Sequence, residues 1–291
     1  DVRPLLQKRH RNVTGGVVMA WYTGKAAIAI CAIGDSNIVA NAEGADSPSE
    51  RPENANVFCY AKPADGPPYG NAYLEWLNLN DNDATRDLDM LYAFINDMPF
   101  VGQALGGREN SSMQLGSSVQ EATEIDAYVY QCGRGGTTAA DWLSGNNWDT
   151  LLDTAPTALA AIPGAPTAFD IIYISLGTND CRQSATARDY YQNIRTLRDL
   201  MIAEGWWVPG TTQIVMMDLP RTGDLEDGVT DGGENSYPGT WRGLDYVTAR
   251  LNDRVAANSS VGLGYGPIYP VHHSESAYTD LGIQAADLAV A

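Results

Sequence analysis

The sequence predicts an α/β fold: a three-layer α/β/α domain with a flavodoxin-like, five-stranded parallel sheet and helices on both faces. Short, continuous apolar runs recur along the chain, and segments with apolar residues three or four positions apart lie between them. Continuous apolar runs are typical of strands that are covered on both faces. Strands that alternate with helices favour a parallel sheet with right-handed crossovers.

Five strands and five helices are predicted in chain order. The strands are residues 26–33, 125–131, 169–176, 213–219 and, more weakly, 261–268. The helices are residues 88–105, 150–162, 186–204, 241–257 and 278–291.

The length of 291 residues predicts one large domain over residues 25–291, preceded by an N-terminal arm at residues 1–24. Residues 41–87 are rich in Pro, Gly, Asn and Asp and predict a long loop insertion. Basic residues crowd the arm: Arg3, Lys8, Arg9 and Arg11. Two interpretations stay open: the arm contacts a partner or a neighbouring copy of the chain, or it is a solvated terminus.

Composition excludes several classes of partner. The net charge of −18 disfavours nucleic acid, because phosphates would be repelled. The chain contains no run of 18 apolar residues, so the sequence predicts no membrane span. The spacing of Cys31, Cys59, Cys132 and Cys181 matches no zinc pattern, and we expect no metal or other cofactor. The sequence leaves the disulfide state open.

Chemically capable residues follow the first three predicted strands. In parallel sheets the active site forms at the carboxyl ends of the strands. Gly34-Asp35-Ser36-Asn37 follows the first strand, where a sharp turn lets the Ser36 hydroxyl project and backbone N–H groups face an oxyanion. Taken alone, these are ordinary turn residues.

The second and third strands end in a glycine cluster and an amide. Gly133, Gly135 and Gly136 allow close backbone approach to a ligand, but the segment lacks the lysine of a P-loop. A plain strand-to-helix turn is the alternative. Asn179 follows the third strand and carries an amide that can donate to an oxyanion.

A serine nucleophile needs a base, because its hydroxyl is weak when protonated. The chain has three histidines: His10, His272 and His273. His10 lies in the basic arm. The other two follow the predicted fifth strand and precede the last helix, where a base is required.

The serine turn, the glycine cluster, the asparagine and the histidine pair form four sequence blocks. In this order along the chain, the four blocks resemble those of the SGNH, or GDSL, hydrolase superfamily. Ser36 matches its nucleophile, Gly136 its second-block glycine with Gly135 as the alternative, and Asn179 its third-block asparagine. The stretch from His272 through Ser274, Ala277, Tyr278, Leu281 and Gly282 resembles the last block, in a register that selects His272 over His273 as base. The resemblance implies an acyl-enzyme mechanism with an oxyanion hole formed by the Ser36 and Gly136 backbone N–H groups and the Asn179 side chain.

Several features look most like the branch containing sialate O-acetylesterases and acetylxylan esterases. Gly34-Asp35-Ser36-Asn37 is similar to the branch's Gly-Gln-Ser-Asn, and Gly135-Gly136-Thr137 followed by Trp142 resembles its Gly-Gly-Thr and downstream Trp. This implies hydrolysis of short acyl esters, O-acetyl groups above all, on a carbohydrate. Trp142 and Arg134 are weaker candidates for substrate contacts.

One departure concerns the acid that orients the base. The family usually has Asp three residues before the histidine, and here that position is Tyr269, or Pro270 if His273 is the base. Either the enzyme uses a Ser–His dyad whose histidine is oriented by a backbone carbonyl, or another acid substitutes. Asp180, Glu275 and Asp280 are nearby in sequence.

Three functions remain open. The first is a secreted polysaccharide O-acetylesterase. The second is a virion-associated deacetylase, such as a phage tailspike, with the basic arm making homo-oligomer or particle contacts. The third is a binding or structural module that keeps the fold without catalysis. The expected location is extracellular or the virion surface.

Overall fold

The computed structural model describes residues 20–38, 54–61, 74–78, 100–101, 111–183, 185–219, 247–248, 251, 254–259, 263 and 273–291. Among them, no helix is long and apolar enough to cross a bilayer.

Eight described strands form one mixed sheet. They are β1 Ile28–Gly34, β2 Val57–Ala61, β3 Glu75–Asn78, β4 Phe100–Val101, β5 Ala127–Gly133, β6 Ile171–Ser175, β7 Gln213–Met216 and β8 Val255–Ala257. Their spatial order is β3-β2-β5-β1-β6-β7-β8, and β4 pairs with the end of β5. The run β5-β1-β6-β7-β8 is parallel throughout and has the flavodoxin-like order. The predicted fold class is therefore confirmed.

Helices cover both faces of this sheet. They are α1 Ser111–Thr123, α2 Asn146–Ala161, α3 Thr178–Arg182, α4 Ala187–Ala203 and α5 Glu275–Val290. Successive residues of β1 alternate between two cores: Ile33 packs in the core that contains α2 and α4, and Ala32 in the core that contains α1 and α5. This double burial explains why β1 is apolar without alternation.

Helix α4 shows how the local sequence sets an element. Thr186 and Asp189 form a reciprocal capping box, in which the Thr186 hydroxyl accepts from the Asp189 N–H and the Asp189 carboxylate accepts from the Thr186 N–H. Tyr190, Ile194 and Leu197 then repeat at helical spacing and are buried. The predicted helix at 186–204 is confirmed, as are those at 150–162 and 278–291.

Helix α1 was missed from the sequence because it is rich in Ser and has Gly116 in its interior. The helix forms because of its tertiary contacts. A Cβ on Gly116 would lie 2.6 Å from a Val129 methyl, and a Cβ on Gly282 of α5 would lie 2.6 Å from both the Gln114 Cβ and the Ser111 carbonyl oxygen. The two glycines let α1 approach the sheet and α5 closely, and this packing outweighs weak helix propensity.

The predicted loop insertion at about 41–87 needs correction for two segments. Strand β2 pairs in parallel with β5, and β3 pairs antiparallel with β2, which extends the sheet by two strands beyond β5. Cys59 and Tyr60 are buried in the core. Turn-forming neighbours concealed these short strands, whose pairing partners lie far away in sequence. The rest of the predicted insertion lies outside the described residues.

Three further element predictions are wrong in part. The fifth parallel strand is β8 at Val255–Ala257, inside a predicted helix, whereas Leu263 in the predicted strand at 261–268 is not in a strand. Phe100 and Val101 form strand β4 within the predicted helix at 88–105, because they pair with Gly133 and Cys132. Partner strands, not local patterns, determined these outcomes.

The end of the predicted arm packs on the domain. The Trp21 indole N–H donates to the Ala289 carbonyl at 2.8 Å, and Trp21 and Tyr22 pack against the core under α5. Residues 1–19, with the four basic side chains of the arm, lie outside the described residues.

Candidate active site

Ser36 lies directly after β1, at the carboxyl edge of the sheet and between β5 and β6. A side chain at Gly34 would overlap the Ser175 carbonyl oxygen at the end of β6, so only glycine lets the two strands approach this closely. The Asp35 N–H donates to that same carbonyl at 2.8 Å, and the Arg134 N–H donates to the Gly34 carbonyl at 2.9 Å. The turn that carries Ser36 is therefore fixed to both neighbouring strands. Ser36 itself is 7% exposed.

The glycine cluster after β5 lies against Ser36. A Cβ built on Gly135 would be 3.8 Å from the Ser36 Cβ, so the two residues are neighbours. Gly135 and Gly136 are exposed, and Gly136 has φ +79°, a left-handed conformation that favours glycine. The structure thus brings together the first and second predicted blocks.

Asn179 lies in the first turn of α3 and connects the second and third blocks. Its side-chain N–H donates to the Thr137 carbonyl at 3.2 Å. An amide group carries two protons, and only one is used in this bond. Next to it, the Asp180 carboxylate accepts from the Ala139 N–H at 2.9 Å. Burial raises the pKa of Asp180 to about 6.

Trp142 supports this turn from inside the protein. Its side chain is 0% exposed, and its indole N–H donates to the Thr137 hydroxyl at 3.0 Å. The prediction that Trp142 contacts substrate is therefore wrong, because a fully buried ring presents no surface to a ligand. Its position in the motif reflects the packing of the glycine turn.

On the other side of Ser36, Asn37 connects the first, third and fourth blocks. Its side-chain N–H donates to the Thr178 hydroxyl at 3.2 Å. Its amide oxygen accepts from the His273 backbone N–H at 3.3 Å and from the Tyr278 hydroxyl at 2.9 Å. The histidine segment is thereby held beside the residue that follows Ser36.

His273 is one of two histidines that the sequence left as candidates, and it is 1% exposed. Its Nε2 lies 3.1 Å from the Asp218 carbonyl oxygen. A carbonyl only accepts, so this contact requires a proton on Nε2. His272, the histidine selected by the sequence register, lies outside the described residues, as does Tyr269.

Asp35 is a fully buried carboxyl next to the candidate nucleophile. Its Oδ1 accepts from the Asn37 N–H at 3.0 Å and from the Ser175 hydroxyl at 3.4 Å. Within the described part of the chain, its Oδ2 has no hydrogen-bond partner. Burial, opposed by the Asn37 hydrogen bonds and assisted by the Asp180 charge, raises the pKa of Asp35 to about 7.

Asp218 was missed by sequence reasoning. It is buried just beyond β7, and its N–H donates to the Asn258 side chain at 2.8 Å. Its place after the fourth parallel strand was the available signal, since the same edge carries Ser36 and Asn179. Two of the acids that the sequence suggested as the orienting group are described. Asp280 is exposed on α5, and Asp180 lies beside the glycine turn, where it accepts from the Ala139 N–H.

The four cysteines are buried and form no disulfide with one another. Burial raises the pKa of the Cys132 thiol to about 12, which makes it unreactive at neutral pH. Among the described residues, no group of three His, Cys, Asp or Glu side chains is arranged to hold a metal ion.

A polar cleft of about 380 Å³ lies beside the glycine turn. Its lining residues are Arg134, Ala140, Asp141, Ser144, Asn146 and Asn147. The Arg134 guanidinium donates to the Asn147 side-chain oxygen at 3.3 Å, and the Asp141 carboxylate accepts from the Thr138 N–H at 2.7 Å. Arg134 directly precedes Gly135, so the cleft adjoins the surroundings of Ser36.

No protein-family model and no curated protein sequence matches the chain. Solved structures do match. A protein from Arabidopsis thaliana is 14% identical with a TM-score of 0.61, and the match covers 91% of this chain and 97% of that one. NanS is 13% identical with a TM-score of 0.57, covering 90% and 95%. A carbohydrate acetylesterase from Xanthomonas citri is 13% identical with a TM-score of 0.53, covering 90% of this chain and 55% of that one.

At 13–14% identity these likenesses concern the fold. They agree with the α/β architecture of the sheet. The chain therefore shares an α/β fold with these three proteins, and an α/β fold is what its sequence predicts.

Proposed function

We propose that this protein is a serine esterase that removes short acyl groups, O-acetyl groups above all, from a carbohydrate. The observation that carries the proposal is the convergence of four sequence blocks on the turn of Ser36. Gly135 lies against Ser36, Asn179 bonds to Thr137 of the glycine turn, and Asn37 bonds to the backbone of His273.

In the proposed mechanism His272 takes the proton of the Ser36 hydroxyl as the oxygen attacks the ester carbonyl. The backbone N–H groups of Ser36 and Gly136 and the second side-chain proton of Asn179 stabilise the oxyanion. His272 then donates its proton to the leaving sugar oxygen, which leaves an acyl-enzyme. Water attacks this ester with His272 as base, and acetate departs as Ser36 regains its proton.

Two observations support a carbohydrate as substrate. One neighbour in fold is a carbohydrate acetylesterase. The polar cleft beside the glycine turn offers donors from Arg134 and acceptors from the exposed Asp141 and Ser144 side chains, and this mixture suits sugar hydroxyl groups. Arg134 therefore remains a proposed substrate contact, whereas Trp142 is replaced by these polar residues.

The test of the nucleophile is Ser36→Ala with p-nitrophenyl acetate and with acetylated xylan. We expect the variant to lose ester hydrolysis, because no other group in the proposed mechanism forms the acyl-enzyme. Ser118→Ala, on α1, is a matched control and should keep wild-type turnover. Turnover that survives Ser36→Ala would show that the proposed nucleophile is wrong, and an inactive wild type would favour a binding module.

The secreted or virion-surface location and the oligomer contacts of the basic arm stay predictions. Light scattering of the purified chain measures its stoichiometry. Acetate release from acetylated glycans measures the activity independently of location.

A further inference from the structure

Thr137 directly follows the glycine turn, and the proposed mechanism gives it no role. Its side chain is buried, and both its hydroxyl and its carbonyl oxygen take part in hydrogen bonds. We propose that Thr137 is a positioning residue for the oxyanion hole, whose hydroxyl closes the glycine turn and whose carbonyl orients the Asn179 amide. This inference rests on the proposed function, because that function assigns Gly136 and Asn179 as oxyanion donors.

The Thr137 hydroxyl connects a buried donor to a backbone acceptor. The Trp142 indole N–H donates to it at 3.0 Å, and the hydroxyl donates to the Arg134 carbonyl oxygen at 2.8 Å. An indole N–H only donates and a carbonyl oxygen only accepts, so the hydroxyl proton is directed at Arg134. The bond from Thr137 back to Arg134 closes the turn that contains Gly135 and Gly136.

The glycine turn needs such a closure because its two central residues restrict the backbone little. Gly135 and Gly136 are exposed and have no side chains that could anchor them, and Gly136 has φ +79°. A backbone N–H stabilises an oxyanion effectively when it is already held in place before the reaction. Trp142 is fully buried, so the hydroxyl attaches this exposed turn to the core.

The Thr137 carbonyl oxygen connects the same turn to the second donor. It accepts one side-chain proton of Asn179 at 3.2 Å, which orients the amide and leaves its other proton for the oxyanion. Two residues further along, the Ala139 N–H donates to the Asp180 carboxylate at 2.9 Å. The segment after the glycine turn is therefore joined to α3 at two places. A shift of Thr137 would move the Asn179 amide as well as the Gly136 N–H.

The experiment compares Thr137→Val, which has nearly the same shape without the hydroxyl, with Thr137→Ser, which keeps the hydroxyl. We expect Thr137→Val to lower kcat for p-nitrophenyl acetate about 10- to 100-fold, because both oxyanion donors lose their alignment. Thr137→Ser should stay within about threefold of wild type, because serine can form the same two bonds. KM should change less than about threefold in both variants, because the buried side chain presents no surface to the ester.

Thr154 on α2 offers a matched control, because its hydroxyl has the same kind of partners away from the glycine turn. Thr154 and Thr137 are each 4% exposed. The Thr154 hydroxyl donates to the Thr150 carbonyl at 2.7 Å and lies 2.7 Å from the hydroxyl of Tyr130 in the middle of β5. Thr154→Val should lower the thermal unfolding temperature much as Thr137→Val does, because each leaves a buried donor unpaired, but it should not change kcat.

A second readout is inhibition by phenylboronic acid, which forms a tetrahedral adduct with a serine nucleophile and so resembles the transition state. Its Ki should rise in Thr137→Val by about the factor by which kcat falls, whereas Thr154→Val should keep the Ki of wild type. Thermal unfolding checks that each variant folds. If Thr137→Val does not fold, Thr137→Ala removes the same hydroxyl and carries the test.

Three results would overturn the inference. One is a folded Thr137→Val variant whose kcat and Ki match those of Thr154→Val, which would make the hydroxyl purely structural. Another is a rise in KM at unchanged kcat, which would place Thr137 against substrate. A third is a loss in Thr137→Ser as large as that in Thr137→Val. Failure of the proposed function is distinct, because the wild type would then neither hydrolyse ester nor bind the boronic acid.

Discussion

The two sides of Ser36 are built differently. On the glycine side, Gly135 and Thr137 lie in the turn after β5, and Asn179 lies in the first turn of helix α3, which follows β6. On the histidine side, Asn37, Asp218 and His273 come from three distant parts of the chain and meet through buried hydrogen bonds. The glycine side depends mainly on local turns at strand ends, and the histidine side depends on tertiary contacts.

The two sides also differ in their buried carboxyl groups. Asp180 on the glycine side accepts from the Ala139 N–H, and its pKa is raised to about 6. Asp35 accepts from Asn37 and leaves its other oxygen without a partner in the described part of the chain, and its pKa is raised to about 7. Hydrogen bonds therefore offset the burial of Asp35, which supports the histidine side through Asn37, less fully than they offset the burial of Asp180.

The largest expected effect tests the glycine side. Asn179→Ala removes the side-chain donor proposed for the oxyanion and should lower kcat about 10²–10³-fold. Steady-state kinetics on p-nitrophenyl acetate measures it, and Asn193→Ala, on α4, is the matched control. A loss below about threefold in kcat would remove Asn179 from the proposed oxyanion hole.

The next effect tests the support of the histidine side. Because burial raises the pKa of Asp35 from 3.8 to about 7, the folded protein keeps a proton that the unfolded chain releases between these values. The free energy of unfolding of the wild type should therefore fall as pH rises from about 4 to about 7, and the contribution of Asp35 should then stay constant at higher pH.

Asp35→Asn removes this penalty and keeps an oxygen for the Asn37 N–H. Its stability relative to wild type should rise over the same pH range, by an amount on the order of a few kcal/mol. Urea unfolding of both proteins at about pH 4.5, 6 and 7.5 measures the difference. Parallel stability profiles would contradict the raised pKa.

The smallest expected effect tests whether Asp180 acts as the acid of a catalytic triad. Asp180→Asn keeps an oxygen that accepts from the Ala139 N–H, so kcat should stay within about tenfold of wild type. Replacing a true triad aspartate by asparagine costs about 10⁴. Asp280→Asn, at an exposed position on α5, is the matched control. A loss near 10⁴ for Asp180→Asn alone would identify Asp180 as the missing acid.

The sequence by itself determined the parts of the protein that depend on local patterns. Strands β1, β5, β6 and β7 are buried on both faces, so each is recognisable in the sequence as a continuous, mainly apolar run. The blocks around Ser36, Gly136 and Asn179 follow directly from these strands, because the carboxyl ends of parallel strands share one edge. The confirmed helices carry caps or helical spacing of their own.

Only the tertiary structure decided the rest. Strands β2, β3, β4 and β8 are two to five residues long and exist through pairing partners. Helix α1 depends on close packing at Gly116 and Gly282, and the histidine side depends on contacts such as Asn37 with His273, which are 236 residues apart. Such contacts leave no periodic pattern in the sequence, because the residues that make them are neighbours only after the chain folds.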